Sequence, residues 1–189
     1  MAYKTGKPLL TFEELHQLRS GSNLYKDFYC TGTNLSRQRL EIFSWQNTPF
    51  MPIALATRIS GGIPLYFEPV ALDNNLKKIK KSDTTSFVNY YVDGGMLCNY
   101  PINMFDTCDS GSHDPLFCDR ARFNQQTIGI KLERPQQIDS LEHNSTRIPE
   151  YHIHNSSDYL LAFSNLLMEA LSRKYPDLEN ERGRTIYVS

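Results

Sequence analysis

The stretch of this 189-residue chain best suited to chemistry is YYVDGGMLCNYPINMF, residues 90–105. An apolar run ends in Asp93, Gly94 and Gly95 follow at once, and Asn99-Tyr100-Pro101 restarts the chain. A carboxylate at the end of a buried strand sits at the rim of a low-dielectric core. Desolvation there disfavours the charged form and makes the group a stronger base than its free pKa of about 3.9 allows. The two glycines remove side chains beside it and permit positive φ, so another group can approach closely. The same residues also read as a plain turn, because Asp-Gly is a common turn pair.

Other chemical candidates are weaker. Ser60 in RISGGI follows a helix, where a hydroxyl could be exposed, but its place reads as a structural turn. Arg58 reads first as a partner in a helix-surface salt bridge, with support of a phosphate or carboxylate as the alternative. His152 and His154 form an H-x-H pair that could share a metal on a strand, but no third ligand stands at useful spacing. No metal site and no cofactor is expected. Ser112, His113 and Asp114 are adjacent, and adjacent residues do not face one another as a triad requires. Lys77, Lys78, Lys80 and Lys81 read as a solvated loop, with peripheral membrane contact through anionic headgroups as the alternative.

The totals set bounds on partners and class. Net charge is −1, hydrophobic residues make up 40% and charged residues 22%, which suits a globular chain and argues against a nucleic-acid partner. No apolar run approaches the ~18 residues of a membrane span. MAYKTGKPLLTFEEL does not read as a signal peptide. Cys30, Cys98, Cys108 and Cys118 form no CxxC pair and are expected to be reduced, in a cytoplasmic setting, with a Cys108–Cys118 bridge as the alternative. The sequons at Asn34, Asn144 and Asn155 carry no weight without secretion.

Around the candidate site, the patterns alternate between helix and strand. Residues 9–19 look helical, with Thr11 and Glu14 spaced as a capping box. Strands are expected at 27–33, at 39–44 with Leu40 and Ile42 opposite Glu41 and Phe43, and at 88–92. A short helix is expected at 52–59, and residues 60–70 are too rich in Gly and Pro for regular structure. Residues 73–85 and 106–124 read as loops, 127–132 as a strand with Ile128, Ile130 and Leu132 on one face, and 133–153 as irregular. Leu160, Phe163, Leu167 and Leu171 form the apolar stripe of a helix over 157–174. Residues 184–188 close the chain as a strand. This alternation argues for an α/β fold.

Three segments, in this order, resemble the patatin-like phospholipase family. DFYCTGTNLSRQRLEIFS resembles its strand pair with an "ATNL" element, MPIALATRISGGIPLYFEPV its helix and "SIPxxFxPV" turn, and YVDGGMLCNYPINMFD its Asp-Gly-Gly motif followed by "NxP". The resemblance covers most of residues 10–132 and weakens beyond. It implies a mixed, mainly parallel central sheet with helices on both faces, and an acyl hydrolase of lipid or phospholipid esters working through a serine–aspartate dyad. The family's catalytic aspartate falls on Asp93. Gly94 and Gly95 would shape its turn, Asn99 and Pro101 would hold the following loop, and Tyr66 and Phe67 would be candidates for an acyl-chain wall, with a plain core role as the alternative.

The family's G-x-S-x-G nucleophile elbow has no counterpart. RSGSNL, RISGGI and DSGSHD all lack glycine two residues before and two residues after a serine. The expectation is therefore a single partial domain over residues 1–189, incomplete at its N-terminus and, from the bare final strand, at its C-terminus, with the nucleophile unassigned. The partner would be a missing N-terminal half or a second copy. A catalytically inactive lipid-binding or protein-interaction fragment is the alternative, and a relocated serine a third.

Overall fold

The computed structural model describes residues 9–79, 87–108, 121–132, 152–172 and 183–188. The chain divides between Asn99 and Tyr100 into two compact units. In the first, α1 spans Phe12–Gly21. The capping box forms: the Glu14 amide donates to Thr11 Oγ1 at 3.2 Å and the Thr11 amide to Glu14 Oε2 at 3.0 Å. The segment after α1 is tied back to it, because Asp27 accepts from His16 Nδ1 and Arg19 Nη1, each at 2.9 Å. β1 begins at Cys30 and runs to Asn34, because Cys30 pairs with Phe43 and the chain beyond Phe43 turns at Ser44, whose carbonyl accepts from the Thr48 amide at 2.8 Å.

β2 (Arg39–Phe43), β3 (Val70–Leu72) and β4 (Asn89–Asp93) complete a four-stranded sheet in the order β2-β1-β4-β3. Every pairing in it is antiparallel. This corrects the expectation of a mainly parallel sheet. β1 and β2 are joined by the four-residue turn 35–38, which holds Gln38 at φ 53°, and a tight turn can only join antiparallel strands. Paired residues share a face, so Gly32, Glu41, Phe43, Leu72, Tyr91 and Asp93 all lie on one side.

That side carries the core. Phe43, Leu72 and Tyr91 pack with Phe12 and Leu15 of α1 and with Ile53, Ala56 and Ile59 of α2 (Ile53–Ser60). Within this unit both described helices therefore cover the same face, where helices on both faces were expected. α2 lies close on β1: a Cβ on Gly32 would come within 2.6 Å of the Phe43 ring and 2.7 Å of Ile59. Thr31, Thr33 and Val92 on the opposite face are also buried.

The second unit holds a 3-10 turn at Ile102–Phe105, a short pair of β5 (Thr107–Cys108) with β6 (Ala121–Arg122), α3 (Ser156–Ser172), and β7 (Gly129–Leu132) parallel to β8 (Thr185–Val188). Asp106 and Arg184 anchor it. Arg184 donates to both Asp106 oxygens at 2.7 and 2.9 Å and to Asn103 Oδ1 at 3.2 Å, and the Asn124 amide donates to Asp106 Oδ1 at 2.9 Å. Ile128, Ile130 and Leu132 do share a face, but it is exposed, as are Ile186 and Val188 beside it. Leu160 and Phe163 of the α3 stripe are exposed too.

Candidate functional site

β4 delivers Asp93 to the end of the central strand pair, opposite Gly32 of β1. The absent side chain on Gly32 lets the α2 side of the sheet close down beside it. The Asp93 amide donates to the Gly62 carbonyl at 3.0 Å, which ties the turn after α2 to the end of β4. One carboxylate oxygen, Oδ1, accepts from the Gly95 amide at 2.8 Å and caps the 3-10 turn Gly94–Met96. The turn role of Asp-Gly is thus real, but it engages only Oδ1. The second oxygen takes no hydrogen bond from the described residues. Burial pushes the carboxyl above its ordinary value, partly offset by the Gly95 amide, which favours the charged form. The result is a half-desolvated carboxylate with one free acceptor, the state a general base needs.

Gly94 is required by space, not by a left-handed φ. A Cβ there would come within 2.6 Å of the Thr31 carbonyl carbon and 2.7 Å of its Cβ. Gly94→Ala must push the end of β4 away from β1, at about 1–3 kcal/mol of stability as overpacking costs go. A urea melt checks this, and an unchanged midpoint would contradict it. Asn99 is exposed, and Pro101 precedes the 3-10 turn Ile102–Phe105 in the second unit.

The far end of the same strands holds a polar network that sequence reasoning missed. Asn34 is fully buried, and its Nδ2 donates to Glu41 Oε1 and to Asn89 Oδ1, each at 3.1 Å. Its Oδ1 accepts from the Arg37 amide, also at 3.1 Å. Tyr91 OH donates to Glu41 Oε2 at 2.8 Å, and burial first, then that carboxylate, raise the phenol's pKa. The network fixes the register of β1, β2 and β4, and thereby the height at which Asp93 emerges. Asn89 lies 55 residues from Asn34, so no local pattern announces it.

The remaining candidates fall elsewhere. Cys30 is pushed up to about 12 by burial, which makes it a poor nucleophile at neutral pH. Ser60 closes α2 and is half-buried. Arg58 lies over the Phe67 ring, 5.3 Å from its centre, and donates to the Glu68 carbonyl at 3.2 Å, where a carboxylate partner was expected. Tyr66 and Phe67 are exposed, which excludes a core role. The rings of exposed His152 and His154 stack 6.3 Å apart, and no group of three potential metal ligands occurs among the described residues. Lys77 and Lys78 are exposed beside β3, while Lys80, Lys81, Ser112, His113, Asp114 and Cys118 lie outside the described residues. No helix among the described residues is long and apolar enough to cross a membrane.

No family model matches the chain. It is 30% identical over 161 residues to an uncharacterized protein, R571, of Acanthamoeba polyphaga mimivirus, a match covering 82% of this chain and 43% of that protein. It is also 30% identical over 71 residues to a probable lipid hydrolase, 463L, of Invertebrate iridescent virus 6, covering 38% of this chain and 20% of that protein. The chain therefore spans less than half the length of either relative.

Proposed function

We propose that this chain carries the base of a lipid acyl hydrolase of the patatin-like kind, with Asp93 as that base. The observation that supports it is the half-buried Asp93 carboxyl, tethered among the described residues through Oδ1 alone and raised in pKa by burial. The likeness to a probable lipid hydrolase supports the substrate class. In this reading the free Asp93 oxygen takes the proton of a serine hydroxyl as the serine attacks the ester carbonyl. The alcohol leaves with that proton and an acyl-enzyme remains. Water, deprotonated by the same carboxylate, then releases the fatty acid. No serine of the sequence stands in G-x-S-x-G, so the nucleophile is proposed to come from a further polypeptide segment, of the kind the longer relatives carry outside the matched region.

The test is phospholipid hydrolysis by the chain alone and by the chain co-expressed with the part of the mimivirus relative outside the matched 161 residues. Hydrolysis by the pair, lost on Asp93→Asn, is the expected result. Hydrolysis that survives Asp93→Asn overturns the role of Asp93. Hydrolysis by the chain alone, removed by one Ser→Ala change, would place the nucleophile within these residues.

A further inference from the structure

The segment after α2 spends stability on exposing apolar side chains. Ile63, Leu65, Tyr66 and Phe67 are 44, 74, 77 and 46% exposed. The backbone that carries them is fixed. The Tyr66 and Phe67 amides both donate to the Ile63 carbonyl, at 3.3 and 3.0 Å, and the Gly62 amide donates to Ile59 at 2.9 Å. Arg58 braces the C-terminal side through the Phe67 ring and the Glu68 carbonyl. Leu65 sits at φ 68°, a conformation that bulky side chains adopt only at a cost. Among the described residues nothing covers this strained leucine, which points to a partner beyond them.

We propose that residues 63–67 form a loop that inserts into a lipid surface. Leu65 and Tyr66 would enter the boundary between headgroups and acyl chains, Phe67 and Ile63 would lie behind them, and the exposed Arg58 guanidinium would meet a headgroup phosphate. An apolar tip of leucine and aromatics beside a cation is the composition that favours such a boundary. The size also favours lipid over protein. A stable protein interface takes about 20–30 residues a side, and this tip offers four apolar side chains, whereas interfacial insertion scales with whatever apolar area is buried. The Gly62–Asp93 hydrogen bond joins the base of the loop to the candidate base, so a docked surface would present its esters beside Asp93. That last step rests on the hydrolase reading, and the docking itself does not.

Co-sedimentation of the chain with phosphatidylcholine vesicles, with and without phosphatidylserine, tests it. Leu65→Asn combined with Tyr66→Ser is the variant of choice, because asparagine tolerates positive φ and the fold should melt no lower. The expected result is vesicle binding by the wild type that falls about tenfold or more in the variant. Arg58→Gln should weaken binding less, and mainly to the vesicles containing phosphatidylserine. Equal binding by wild type and variant, or no vesicle binding by the wild type, would overturn the proposal. So would a lipid-free dimer that the variant dissolves, which would make a second copy the occupant. Asp93→Asn separates the two readings. Vesicle binding that depends on the loop, without any Asp93-dependent hydrolysis by the chain co-expressed with the complementing segment, keeps the loop and removes the hydrolase. Asp93-dependent hydrolysis of a short soluble ester, with vesicle binding indifferent to the loop, does the reverse.

Discussion

Asparagine at position 93 is expected to lower phospholipid hydrolysis by the chain co-expressed with its complementing segment by about 10²–10⁴-fold, the usual contribution of a positioned base, without lowering the melting temperature. The two halves of that expectation come from the same geometry. Asparagine keeps an oxygen where Oδ1 accepts from the Gly95 amide, so the turn survives, but it cannot take a proton from a hydroxyl. The folded carboxyl has a raised pKa because burial penalises its charge. Folding therefore favours the protonated form. Ionisation reduces stability once the pH rises above the unfolded value of about 3.9, and the penalty vanishes below it. At neutral pH Asp93→Asn removes that penalty, so its melt should be equal to or higher than that of the wild type. Parallel hydrolysis assays of both proteins, each co-expressed with the complementing segment, and thermal melts of both check the pair of outcomes. A variant that loses activity only because it unfolds would assign Asp93 a structural role.

The largest stability effect is expected in the second unit. The Asp106 carboxylate is fully buried and the Arg184 side chain is 9% exposed. Removing one partner strands the other charge, at about 3–5 kcal/mol. Asp106→Ala and Arg184→Met should each produce that loss, read as a lower urea midpoint for the unit beginning at Tyr100. Combining Asp106→Leu with Arg184→Met should recover much of it, since two apolar groups leave no charge uncompensated. Equal losses that simply add in the double variant would show that the pair does not act as a unit. Asn103 and Asn124 also bind this pair, so a residual loss in the double variant is expected.

Local signals were legible in the sequence where the cause was local. The Thr11–Glu14 capping box, the 8-residue α2 behind Pro52, and the end of β4 at Asp93 all follow from residues a few positions apart, and the alternation of β2 paired Glu41 with Phe43 on one face without saying that this face is the core. The strand directions did not follow, because the parallel sheet was only what the family resemblance implied, while the turn at 35–38 imposes antiparallel pairing on β1 and β2. β1 starts later than the pattern of residues 27–33 suggests, because its partner strand ends at Phe43, opposite Cys30, and turns at Ser44. At the site, the carboxylate and its glycine neighbours were readable. The reason for Gly94 was not: only the structure shows that Thr31 occupies the space of a side chain. Arg184 read as the start of a strand, and nothing near it in sequence points to Asp106, 78 residues away. The apolar alternation of β7 correctly gave one face, but periodicity reports which residues share a face and not whether that face is covered.

What this chain does depends first on whether burial has made the Asp93 carboxyl basic. Its titration can be followed directly, by carbon-detected NMR of the side-chain carboxyl in the intact chain, with Asp93→Asn to assign the signal. A midpoint clearly above the ordinary value of about 3.9, with the signal still moving as neighbouring carboxylates have finished titrating, is the result expected of a desolvated base with a free oxygen. A midpoint at or below that value would mean a solvated or fully hydrogen-bonded turn residue, and would contradict a catalytic role for Asp93.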